Sequence, residues 1–123
     1  MTTTYYVKAQ PAGAFAASSY FSDPACTQPV PPNALAVPPG TAACLITEAA
    51  GSELVLLGAT YKTLGHSAVM TDHNFAAAQS GTVSITMPSE QIVTKGVVLI
   101  FSTRGTVATL YPSSDPEVTN GDQ

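Results

Sequence analysis

The sequence predicts an all-β fold: a small antiparallel sandwich or barrel with an extended, proline-rich N-terminal arm and at most one or two short helices. Three observations predict it. Thr82-Val83-Ser84-Ile85-Thr86-Met87 alternates residue by residue, which sets Val83, Ile85 and Met87 on one face as a half-buried strand requires. Val97 to Thr103 and Thr106 to Tyr111 are β-prone runs on either side of Arg104-Gly105, a two-residue turn in which the glycine supplies a positive φ. Pro11, Pro24, Pro29, Pro31, Pro32, Pro38 and Pro39 then punctuate the stretch from Ala9 to Ala43, where proline's missing donor and its restriction of the preceding residue exclude helix and central strand.

Residues 1–43 are therefore read as the extended arm, in polyproline-like and turn conformations. Phe15, Tyr20, Phe21, Leu35 and Val37 would be wasted in solvent, so the arm is expected to pack on its own domain or on a neighbour. Residues 44–114 are read as the β domain. Cys44-Leu45-Ile46-Thr47 and Glu53 to Thr60 are expected to pair as a hairpin through the connector Glu48 to Ser52. Asp72 is placed to cap a short helix from His73 to Gln79, whose Ala76-Ala77-Ala78 favours helix, and Ser89 to Lys95 is a second, weaker helical stretch.

A two-residue loop at Arg104-Gly105 would pair Thr103 with Thr106, Phe101 with Ala108 and Leu99 with Leu110. Val98, Ile100, Val107 and Thr109 make the opposite face largely apolar as well, so both sides of this hairpin are expected to need cover. Residues 115–123 are a polar acidic tail.

The chain has 123 residues, enough for one domain and one core. Only 10% of them are charged, against roughly 25% in an ordinary soluble domain. Asp115, Glu117 and Asp122 hold most of the net charge of −4, which leaves a nearly neutral body. Its four basic residues, Lys8, Lys62, Lys95 and Arg104, stand singly, so no stripe exists to neutralise phosphates and nucleic acid is not an expected partner. The longest aliphatic or aromatic runs, Leu54 to Leu57 and Val97 to Phe101, have strand length and fall far short of the ~18 residues that span a bilayer. Met1 to Tyr6 shows neither a basic region nor a continuous apolar one, so synthesis in a cytosol is expected.

Cys26 and Cys44 flank a proline-rich interval that a disulfide would tie off; two buried thiols are the favoured alternative where export is not signalled. Metal ligation would have to draw on His66, Asp72, His73 and the two cysteines, and none of these has the close paired spacing that presets a tetrahedral site. G-x-S-x-G, H-E-x-x-H and G-x-x-x-x-G-K-[ST] are all absent. Glu48 and Glu53 could oppose each other across their hairpin, but charges beside a turn are usually just solvated. No catalytic, cofactor or metal residue is therefore assigned. Pro29-Val30-Pro31-Pro32 fits the loose P-x-x-P pattern of polyproline ligands. Carbohydrate binding would rest on Tyr61 or Tyr111, because the chain has no Trp.

The arm segments Ala9-Gln10-Pro11-Ala12-Gly13 and Pro38-Pro39-Gly40-Thr41-Ala42, followed by hairpins such as Leu54-Val55-Leu56-Leu57-Gly58, give a layout that resembles the capsid decoration, or cement, proteins of tailed bacteriophages. The resemblance implies a non-enzymatic virion protein that reinforces the outer capsid, with the major capsid protein or other virion subunits as partners and a homo-oligomer, such as a trimer, as the bound state. It makes residues 3–43 the attachment arm, with Tyr5, Tyr6, Phe15, Tyr20, Phe21, Leu35 and Val37 as the partner-binding side chains. Another virion component, such as a connector, tail or fibre protein, fits the same texture. A carbohydrate-binding or cell-surface module is the rival from a different class.

Overall fold

The computed structural model describes residues 2–31, 35–37, 43–63, 74–86, 94–103, 110–113 and 117–119. They form a two-sheet, all-β sandwich, with no helix among the described residues. In chain order the strands are β1 (Thr2–Ala12), β2 (Phe15–Phe21), β3 (Pro29–Val30), β4 (Leu35–Ala36), β5 (Ala43–Glu48), β6 (Leu54–Thr63), β7 (Asn74–Ala77), β8 (Thr82–Thr86), β9 (Thr94–Thr103), β10 (Leu110–Pro112) and β11 (Glu117–Thr119).

The first sheet has the order β3-β2-β1-β5-β8. β1 and β2 are an antiparallel hairpin turned at Gly13, whose φ of 66° lies where an L side chain is strained. β5 lies parallel to β1 on its other side, and β8 is antiparallel to β5. The second sheet has the order β4-β11-β9-β6-β7, with β10 beside β9 on the flank that β11 also occupies. Alternate residues from each sheet fill the layer between them. Val7, Tyr20, Cys44, Ile46, Val83 and Ile85 meet Leu35, Leu54, Leu56, Val97, Leu99 and Phe101 there. Full burial of each large aliphatic or aromatic side chain contributes about 1.5–3 kcal/mol, and this layer is the main source of stability.

The two sheets are linked on both flanks, by a turn on one and by an isolated bridge on the other. On one flank Gln79 and Thr82 exchange backbone hydrogen bonds of 2.9 and 3.1 Å around Ser80 and Gly81, both at positive φ. This two-residue turn carries the chain from β7 in one sheet to β8 in the other. On the other flank Ala16 of β2 bridges Ser113, next to β10.

Several expectations are met and others corrected. Val83 and Ile85 share the buried face of β8 as the alternation requires, and Val97, Leu99 and Phe101 share the buried face of β9. Met87, the Arg104-Gly105 turn and most of the acidic tail lie outside the described residues. The boundary expected at residue 43 is not a boundary in the fold. β1 pairs with β2 over seven residue pairs and with β5 over six, so residues 2–21 form the middle of a sheet rather than a separate arm. Pro11, Pro24 and Pro29 permit this because they are placed at strand ends and turns: Pro11 pairs near the tip of the hairpin, and Pro24 and Pro29 bracket the β2–β3 turn.

The hairpin expected between Cys44–Thr47 and Glu53–Thr60 is also corrected. β5 and β6 belong to different sheets, and the chain between them crosses the sandwich. Side-by-side pairing would have left the apolar faces of both strands needing a third layer, whereas the crossover sets Cys44 and Ile46 against Leu54 and Leu56 within one core. The expected pair Leu99–Leu110 is replaced by Leu110–Ser102 and Tyr111–Phe101. That register differs by an odd number of residues, which turns Leu110 outward and Tyr111 inward. The helix expected from His73 to Gln79 is a strand from Asn74, because alanine's helical preference is worth less than one kcal/mol per residue and the open edge of β6 offers pairing. Of the second helical stretch, Thr94 and Lys95 open β9.

A candidate interaction surface at the sheet seam

The residues assigned to partner binding divide into three groups. Tyr5, Tyr20, Leu35 and Val37 are buried and belong to the core. Tyr6 and Phe21 face each other across the β1–β2 ladder and are half-buried on its outer side. Phe15 alone is open, at 60% exposure, next to the hairpin tip. Core membership leaves Tyr5, Tyr20, Leu35 and Val37 no surface with which to touch a partner, which corrects their assignment.

The buried tyrosines show how the seam is built. Tyr5 donates its hydroxyl to the Ala36 carbonyl, which ties β1 to β4 across the sandwich. Burial raises its pKa, the nearby Cys44 raises it further and the bond to Ala36 lowers it. Tyr20 is 2% exposed, and its hydroxyl points to the hydroxyls of Ser113 and Ser18. Burial pushes its pKa up to about 12. The Tyr20 and Ser18 hydroxyls make no hydrogen bond of good geometry within the structure. Ser113 holds the facing sheet: its N–H donates to Leu99 O at 2.8 Å, and its Oγ accepts from Leu99 N at 2.9 Å.

Around the bridge between Ala16 and Ser113, strand alternation decides what reaches solvent. Both bridge residues are buried, so their predecessors, Phe15 and Pro112, turn outward. Leu110 turns outward with Pro112 and is 52% exposed; Ile100, opposite Pro112, is half-buried on the same outer face, and so is Val55, which pairs with Ser102. Phe15, Pro112, Leu110, Ile100 and Val55 thus form an uncharged, largely apolar strip that crosses from one sheet to the other, with buried Ser102 between Leu110 and Val55. Phe15 and Leu110 are the only large hydrophobic side chains that stand exposed among the described residues. Sequence reasoning found Phe15 but missed Leu110, because the expected register paired it with Leu99 under cover, whereas it pairs with Ser102 and stands open.

Cys44 is fully buried in the core, and burial pushes its thiol up to about 12; Cys26 lies in the β2–β3 turn at φ 59°; both are free thiols. The Cys26 turn is organised by Asp23, whose carboxylate accepts from Thr27 N, Thr27 Oγ1 and Gln28 N. These bonds, that of the Thr27 side chain first, hold the Asp23 carboxyl below its usual pKa. Glu48 accepts from Leu56 N at 2.9 Å, so its carboxylate spans the two sheets and satisfies a donor on β6. Glu53 stands exposed on the crossover. His66, Asp72 and His73, and the side chain of Tyr61, lie outside the described residues; Tyr111 is half-buried against the core. No group of three metal-ligating side chains occurs among the described residues. No protein-family model and no curated protein matches this chain.

Proposed function

We propose that this chain is a non-enzymatic virion structural protein, a capsid decoration or cement protein that attaches to the major capsid protein and acts in many copies. The observation that carries the reading is the uncharged strip across the seam, in which Phe15 and Leu110 hold large apolar side chains in solvent. A chain with only 10% charged residues presents little electrostatic repulsion to a neighbour. The resemblance in the layout of the chain supplies the kind of particle. Attachment is assigned to this strip rather than to a free arm, because β1 and β2, which make up much of the expected arm, are built into a sheet.

Burial of the exposed parts of Phe15 and Leu110 would contribute about 1–2 kcal/mol each. That is weak for one copy and sufficient for many acting together on a repeating surface. The test is co-sedimentation of the native chain with a megadalton particle from its source lysate, compared with the double variant Phe15→Ser/Leu110→Ser. The native chain should pellet with the particle and be released only by denaturant, while the variant should bind roughly tenfold or more weakly. Sedimentation of the native chain as a free small protein, or full occupancy by the variant, would overturn the proposal. Copy number per particle separates a capsid coat from a connector or tail part.

A further inference from the structure

The outer face of the β1–β2 hairpin holds a groove of about 400 Å³, within the size range of small-molecule sites. Lys8 and Gln10 project into it from β1, Ser19 and Phe21 from β2, and Gly51 and Glu53 form its wall. From this lining we infer that the groove binds a neutral saccharide, with a pyranose ring laid against Phe21. The inference is independent of the assembly reading, which concerns a different surface.

The wall is fixed by the fold. After β5 ends, the crossover continues alongside β1: Ala49 N donates to Val7 O at 2.8 Å and Glu53 N to Ala9 O at 2.9 Å. Buried Ser52 accepts from Ala9 N at 3.0 Å and donates to Leu54 O at 2.8 Å. Gly51 adopts φ 94°, and the Lys8 Cε and Nζ lie 3.7 and 3.9 Å from where a Cβ would stand on it. The lysine stem therefore runs along the wall. A groove held this way loses little freedom when occupied.

The ligand class follows from the groups offered. Lys8 and Glu53 bring one cation and one anion to the same groove in a chain with few charges, and among the described residues neither makes an ion pair. An anionic ligand would be opposed by Glu53 and a cationic one by Lys8, which selects a ligand without net charge. Lys8 offers donors, Glu53 acceptors, and Gln10 and Ser19 both, the mixture that a run of hydroxyls can satisfy. Phe21 adds an apolar surface for the C–H face of a sugar ring. A zwitterion could meet the two charges but would leave the aromatic face unused.

The experiment is an amide NMR titration of the full chain with maltotriose, cellotriose and mannotriose, and with triglycine as the zwitterionic comparison. At least one trisaccharide should shift the amides of Lys8, Gln10, Ser19 and Gly51 saturably while those of Val83 and Leu99 stay in place. Gln10→Ala/Glu53→Ala, whose replaced side chains are both exposed, should keep the core amide spectrum and bind roughly tenfold or more weakly. Glu53→Gln, which keeps an acceptor, should lose less. The inference fails if no trisaccharide shifts these amides, if triglycine alone does, if the saturable shifts fall elsewhere, or if the double variant binds like the native chain. None of these outcomes bears on co-sedimentation with a particle.

Discussion

Ser52 is 4% exposed and joins β1 to the start of β6 through one hydroxyl, which accepts from Ala9 N and donates to Leu54 O. Ser52→Ala would strand a backbone donor and an acceptor in the interior, so the variant should lose about 1–3 kcal/mol, read as a lower urea midpoint at unchanged slope. An unchanged midpoint would show that water replaces the hydroxyl at both partners. Ser52 was not legible in the sequence, because Gly51-Ser52 reads as a solvated turn and only the crossover buries it. Phe15 was legible as a side chain unsuited to solvent, and it does remain in solvent. Tyr5 and Tyr20 carried the same signal, and the fold satisfies them internally. Local sequence thus marks which side chains need cover without saying whether the cover belongs to the same chain.

Elements were legible in type more than in partnership. The alternation at 82–86 and the apolar run at 97–103 named β8 and β9, since strand periodicity is a local property. Which strand pairs with which depends on closing a core. That is why the expected Cys44–Thr60 hairpin became a crossover, and why β1, read as arm, lies between β2 and β5. The central placement of β1 decides what truncation should do. Removal of residues 1–43 takes away β1 and β2 and with them Tyr5, Val7, Ala9, Ala16 and Tyr20 from the core, leaving one edge of β5 unpaired. A chain of residues 44–123 should therefore show no cooperative urea transition and no dispersed amide spectrum. A folded, soluble truncation would restore the arm reading and sink the central placement of β1.

At the scale of the whole molecule, the ionisable groups locked in the core make the sandwich sensitive to alkali. Burial pushes the Cys44 thiol from 9.0 up to about 12 and the Tyr20 hydroxyl from 10.0 up to about 12, and Tyr5 moves the same way. In each case the folded state holds its proton more tightly than the unfolded chain. Their contribution is thus fully present below the unfolded values and is lost as pH rises toward the folded ones. Cys44 acts first, because an unfolded thiol begins to ionise near 9.0 and a tyrosine only near 10.0. Once a group is ionised in the unfolded chain and still protonated in the folded one, it removes about 1.4 kcal/mol per pH unit. The native chain should therefore begin to lose stability near pH 9 and fall more steeply above 10 as the tyrosines join. Cys44→Ala leaves a small cavity and should be less stable at neutral pH, yet relative to its own neutral value its decline should start about one pH unit later. Urea midpoints measured across this range decide the matter. Declines of native and variant that run parallel from the same onset would mean that the thiol takes no part and that the alkaline limit lies with other groups.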